Sequence, residues 1–168
     1  GSDGGAAYVY RRSPLGQWNV EQKLYPAVAA TSDSFGHSVA ISGETIIVGA
    51  SHDDHSGSTD IGSATIFVHG PAGWVVQATL LPTGTGSLTY AGAAVAIEGD
   101  TAVLGGIGYN GDRGAAWVFH RNGSLWSQEA MVTAPNAAAG DNFGYSLALD
   151  GNTLIVGAPT NNPNGIDN

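Results

Sequence analysis

The sequence predicts an all-β fold, a β-propeller of four-stranded blades, and three observations carry that prediction. The stretch Asp33 to Ala50, DSFGHSVAISGETIIVGA, returns at 88–106 as LTYAGAAVAIEGDTAVLGG and at 141–158 as DNFGYSLALDGNTLIVGA. Gly36, Gly92 and Gly144 mark these copies at steps of 56 and 52 residues, a period typical of repeat architectures. Apolar and polar residues alternate at period two nearly throughout, with no helical periodicity, and turn residues separate the runs. A β-sandwich would accommodate such short strands, but it supplies no reason for three copies at one spacing.

Each element follows in order. After Gly5 comes a short strand, Ala6 to Tyr10, then a turn over Arg12 to Gly16 and a tryptophan strand from Trp18 to Tyr25. The first whole blade covers 35–81. Its runs SVAIS and TIIVGA meet at Ser42-Gly43, where glycine supplies the positive φ of a tight hairpin. ATIFV follows Gly62, and the turn Gly70 to Gly73 leads into GWVVQATLLP. The second whole blade covers 91–132, with AAVAI and TAVLGG joined at Glu98-Gly99-Asp100, then AAWVF and, after Arg121 to Ser124, LWSQEAMVTAP. SLALD and TLIVGA, joined at Asp150-Gly151-Asn152, form a last pair within 143–158. Divided by repeat, the chain reads 5–61, 62–113 and 114–168. Trp18, Trp74 and Trp126 then hold equivalent places, and Trp117 aligns with Tyr8 and Ile66 as a core position.

On this count the chain carries the last two strands of one blade, two whole blades, and the first two strands of another. The half-blades add up to one. The last residues, NNPNGIDN, and the first, GSDGG, would spell a single loop if placed end to end, which gives Gly1-Ser2 a reading other than a cloning scar. Three blades are too few to close a ring, since closed propellers have four to eight. Two expectations follow: a piece of a larger propeller, or self-association, in which two chains joined head to tail give six blades.

Composition bounds the partners. The 168 residues suffice for a sizeable core without staples, and the absence of cysteine excludes disulfides and thiolate chemistry. A net charge of −9 argues against nucleic acid or an anionic membrane as partner. No apolar run is long enough for a membrane-inserted helix. Charged residues make up 11%, with one lysine and 26 glycines, which leans toward a secreted or surface β-repeat protein.

The order Phe-Gly, Val-Gly-Ala two strands later, an Asp/Asn/Gly-rich loop, Gly-Ser-Ala-x-x-Phe and a tryptophan strand resembles the FG-GAP repeats of integrin α-chain propellers and of bacterial and marine proteins. The likeness covers essentially the whole chain. Its middle copy departs, with Ala91 in place of the Phe35 and Phe143 of the others and Gly105-Gly106 in place of Gly-Ala. In integrin-type relatives the loop after the second strand can hold Ca²⁺ through alternating acidic residues. Carried onto SHDDHSGSTDIG, the resemblance implies Asp53, Asp54 and Asp60 as calcium ligands, with His55 where many relatives carry Asp. The related C-terminal loop offers Asn161, Asn164 and Asp167, and the shortened middle loop GYNGDRG keeps Asp112. Strict calcium spacing is absent, so a second reading stands beside the first: these residues make turns and stay hydrated. His52 and His55 beside two aspartates raise a transition-metal alternative.

No catalytic constellation emerges. Ser, His and Asp are scattered, and His37, the nearest approach with Asp33 before it, has Ala93 and Tyr145 as equivalents. The repeated tryptophans suit either packing between blades or stacking on sugars, and Asn122-Gly123-Ser124 matches a glycosylation acceptor. The expected protein is a non-catalytic, extracellular binding or adhesion module that meets a protein or glycan at a cell surface. A lectin is one alternative; an assembly module closing a six-bladed ring as a head-to-tail homodimer is the other.

Overall fold

A computed structural model describes residues 4–26, 28 and 32–161 of the chain. Among the described residues twelve strands fall into four antiparallel sheets, each a meander in sequence order. β1 (Ala7–Arg12) and β2 (Trp18–Leu24) pair alone. β3 (Phe35–Ser42), β4 (Thr45–Ala50), β5 (Ser63–Gly70) and β6 (Gly73–Leu80) make the first whole blade. β7 (Ala91–Glu98), β8 (Thr101–Gly106), β9 (Ala115–Asn122) and β10 (Leu125–Val132) make the second. β11 (Ser146–Asp150) and β12 (Thr153–Gly157) again pair alone. The expected blade plan is thus the observed one, half-blades included, whereas the termini proposed to form one loop lie outside the described residues.

Neighbouring blades stack face to face, because a four-stranded sheet with apolar residues on both faces must bury both. One buried cluster joins β1–β2 to the first whole blade through Ala7, Leu24, Phe35, Val48, Phe67 and Trp74. Another joins the two whole blades, with Ile47, Ile66 and Leu80 on one side and Val95, Leu104 and Trp117 on the other. β3 packs on β7, and β7 on β11, so the first strands of successive blades lie side by side.

The same backbone hook fastens each blade to the next. The amides of Phe35, Ala91 and Phe143 donate to the carbonyls of Gly4, Ile61 and Arg113 at 3.0, 2.8 and 3.1 Å, and Gly5, Gly62 and Gly114 bridge to the same three positions. The glycine after each hook has φ of 92, 85 or 95°, and a Cβ there would overlap a carbonyl of the third strand. That close approach is why Gly36, Gly92 and Gly144 recur.

These bridges also fix the register between repeats. Trp117 stands three residues after Gly114, as Thr65 does after Gly62 and Tyr8 after Gly5, so its counterpart is Thr65 and not Ile66. Trp117 is nonetheless fully buried, with its indole N–H donating to the Thr83 carbonyl at 3.0 Å. Large and small residues have changed places: the first whole blade has Phe35 and Thr65 where the second has Ala91 and Trp117, all four buried. Phe143, in contrast to Phe35, is only half-buried, because its half-blade lacks a third strand beside it.

Candidate functional site

The loops after the second strand and those entering the first lie at one end of the blades. There Ser51, directly after β4, places its Oγ 3.0 Å from Nδ1 of His37 and 3.0 Å from Nδ1 of His52. A hydroxyl has one proton, so it donates to one imidazole and accepts from the other when both rings are neutral, leaving them in opposite tautomers. The His52 amide donates to the Asp33 carbonyl at 3.2 Å, and its ring lies 5.3 Å from that of Tyr90 in the next blade. Asp33 and Thr89 are buried beneath. The arrangement holds two imidazoles and a phenol at the seam between two blades.

Ser51 itself is 1% exposed. A nucleophile must be reached by its substrate, and this hydroxyl is sealed beneath the rings that it orients. His37, read from sequence as a variable position, proves to be one side of this cluster. Ser51 and Tyr90 were not foreseen. The signal for Ser51 is positional, since it stands where the third copy has Pro159 after its Gly-Ala.

The expected calcium ligands lie in the adjoining loop but are not gathered into a cage. Asp54 Oδ1 accepts from the Asp60 amide at 2.8 Å, and the Asp53 carbonyl accepts from Gly62 at 3.0 Å. Asp60 and Ser56 take left-handed backbone conformations. The Asp60 carbonyl accepts from Tyr90 and that of Thr59 from Leu88, which ties the loop to the next blade's entry. Among the described residues no group of three or more His, Asp or Glu side chains is placed to hold a metal ion. As they stand, these residues do not fit a bound calcium. His55 spends Nε2 on the Gly62 carbonyl at 3.0 Å, away from His52. Asn164 and Asp167 lie outside the described residues. The middle loop instead makes a tight turn over Tyr109–Asp112, with Asn110 and Gly111 in left-handed backbone conformations and Tyr109 edge-on to Trp117 at 5.5 Å.

Two of the three repeat-equivalent tryptophans pack between blades. Trp74 is buried, and Trp126 is half-buried, with its indole N–H donating to Gln77 of the preceding blade at 2.8 Å. Trp18 is 66% exposed.

A family model described as FG-GAP repeat matches residues 18–67 and 126–168, more than half of the chain. The chain belongs to the FG-GAP repeat family. Among curated proteins none matches it. FG-GAP repeats build β-propeller modules of the binding and adhesion type, and their propellers are generally non-catalytic. The Phe-Gly and Gly-Ala of the motif are the hook and the buried end of the second strand described above. Between the matches, 68–125 holds the copy with Ala91 and Gly106, and its sheet repeats the same four-stranded meander.

Proposed function

We propose that the chain is a non-catalytic binding module of the cell surface or extracellular space, which meets a protein or glycan ligand at the loop end of its blades. The observation that carries the reading is Ser51 buried between two imidazoles: a hydroxyl that two histidines partner is closed to substrate, while the rings stand around it at the loop end. Sparse charge, a single lysine and the hairpin acceptor Asn122-Gly123-Ser124 support the extracellular address. A lectin reading rests on these loop residues and the exposed Trp18, since Trp74 and Trp126 are engaged in packing. Calcium enters only if Asp53, Asp54 and Asp60 converge.

A glycan array probed with labelled wild-type chain, His52→Ala and Tyr90→Ala is the test. Binding to defined glycans that both variants lose supports the lectin form; no glycan binding, with cell-surface binding that both variants weaken, supports a protein ligand. Hydrolysis of p-nitrophenyl acetate that disappears in Ser51→Ala would overturn the non-catalytic reading.

A further inference from the structure

The seam between β1–β2 and the first whole blade is built like the seam between the two whole blades, with two residues exchanged. In the second blade Arg121, near the end of β9, stands across the hairpin from Trp126, and its guanidinium lies 5.2 Å from the Trp126 ring. Its Nε donates to Asp100 Oδ1 at 2.7 Å and its amide to the Asp100 carbonyl at 2.8 Å. In the first blade His69 stands across from Trp74, with the two rings 5.0 Å apart. Its Nδ1 lies 3.1 Å from Glu44 Oε2, and its amide donates to the Glu44 carbonyl at 3.0 Å. His69 therefore holds the place of a permanent cation, and unlike arginine it can lose its charge near neutral pH.

The second exchange lies in the preceding blade. Glu21 and Gln77 are the bulged residues of β2 and β6, and each turns to the blade that follows. Gln77 Oε1 accepts the indole N–H of Trp126 at 2.8 Å. Glu21 has the same place before Trp74, but its Oε1 lies 3.4 Å from His69 Nε2, and Arg11 donates to both of its oxygens. Among the described residues Trp74 Nε1 is buried and has no hydrogen-bond partner. The Trp74 backbone is fixed, since the Gln22 side-chain amide donates to its carbonyl at 2.7 Å and accepts from its amide at 2.8 Å. A buried N–H left without an acceptor is costly, so the contact that draws Glu21 away must offset it.

The charge on His69 supplies that offset. An imidazolium donates from both nitrogens and so meets Glu44 and Glu21 at once, whereas a neutral imidazole donates from one alone. The shorter contact, Nδ1 to Glu44, keeps the proton, and Nε2 then presents a lone pair to Glu21 Oε1. We propose that His69 is a pH-operated switch at this seam: charged, it holds Glu21 and Glu44 together; neutral, it releases Glu21 Oε1 to the Trp74 indole, the bond that Gln77 makes to Trp126. The charged groups facing it are Glu21 from β2, Glu44 from the β3–β4 turn and, behind Glu21, Arg11 from β1, while Trp74 on β6 adds no charge. Arg11 stays on Glu21 in both states. At acid pH β2 is tied through His69 to the β3–β4 turn, and at alkaline pH through Trp74 to β6.

Proton–nitrogen NMR of the labelled chain between about pH 5 and 8.5, a range that brackets an ordinary imidazole, tests the switch. As the His69 ring loses its proton, the Trp74 indole N–H resonance should move downfield toward that of Trp126, with the same midpoint. The Trp126 indole, beside Arg121, should not follow. His69→Arg, which copies Arg121, should hold the Trp74 resonance at its acid position across the range, and Glu21→Gln, which copies Gln77, should hold it at its alkaline position. A Trp74 resonance that stays still while His69 titrates, or that moves as far in His69→Arg as in the wild type, would overturn the proposal. The wild-type titration decides without either variant.

Discussion

Ala91→Phe restores to the middle blade the residue that the other two copies carry, yet it should destabilise the protein. Ala91 is fully buried in the cluster that also holds Trp117, the bulky counterpart of Thr65. Inserting a ring there overpacks a filled interface, at a cost of about 1–3 kcal/mol. Trp117→Thr alone removes the indole and should cost about 3–5 kcal/mol through the cavity. Losing its hydrogen bond to the Thr83 carbonyl adds about 1 kcal/mol. Combined, the two changes put at these positions the residues that the first blade carries, Phe and Thr, so the double variant should be more stable than the sum of the singles by about 1–3 kcal/mol. Urea unfolding followed by far-ultraviolet circular dichroism measures the cycle without depending on tryptophan fluorescence. Additivity within about 0.5 kcal/mol would refute the size exchange.

Three further outcomes follow from the same geometry. Phe35→Ala should cost about 3–5 kcal/mol, because its buried ring packs edge-on to Phe67 at 6.2 Å, whereas Phe143→Ala should cost less than half as much in the single chain; equal losses in urea titrations would contradict the open third blade. The Arg11 guanidinium, by hydrogen bonding first, holds the Glu21 carboxyl below its ordinary value. Its stabilising contribution is therefore present above the ordinary carboxylate range and lost as pH falls through the depressed value. Arg11→Ala should raise the Glu21 titration midpoint seen by carboxyl-carbon NMR, and an unmoved midpoint would dismiss the pair. Asp54→Ala removes the acceptor of the Asp60 amide and should lower stability by about 0.5–1.5 kcal/mol, with calcium chloride and chelator giving the same melting temperature for the wild type; a rise of several degrees in calcium would show that the loop's acids do converge on a cation.

The blade plan was legible because glycine spacing and period-two alternation are properties of the chain alone, and both half-blades could be counted from them. Register within the third strand was less so. GSATIFVH is apolar on both faces, since each face packs on a neighbouring blade, and alternation therefore cannot say which residue points which way. That ambiguity put Trp117 opposite Ile66 rather than Thr65. The bridge from Gly62 to Ala91, a contact between repeats, settles it. The loop-end cluster was out of reach for a related reason: Ser51 and His52 are adjacent, but His37 and Tyr90 join them only once β3, β4 and the next blade's entry have stacked. For Asp53, Asp54 and Asp60 proximity in sequence says nothing of where the carboxylates point, and the fold turns Asp54 Oδ1 to the Asp60 amide.

Amide hydrogen exchange, followed strand by strand, tests the account most directly. Strands β4, β5, β8 and β9, each paired on both sides, should exchange slowly. β6 and β10, the outer strands of the two whole blades, each pair on one side only and should exchange faster. Exchange in β4 and β8 no slower than in β6 and β10 would contradict the four-stranded blades.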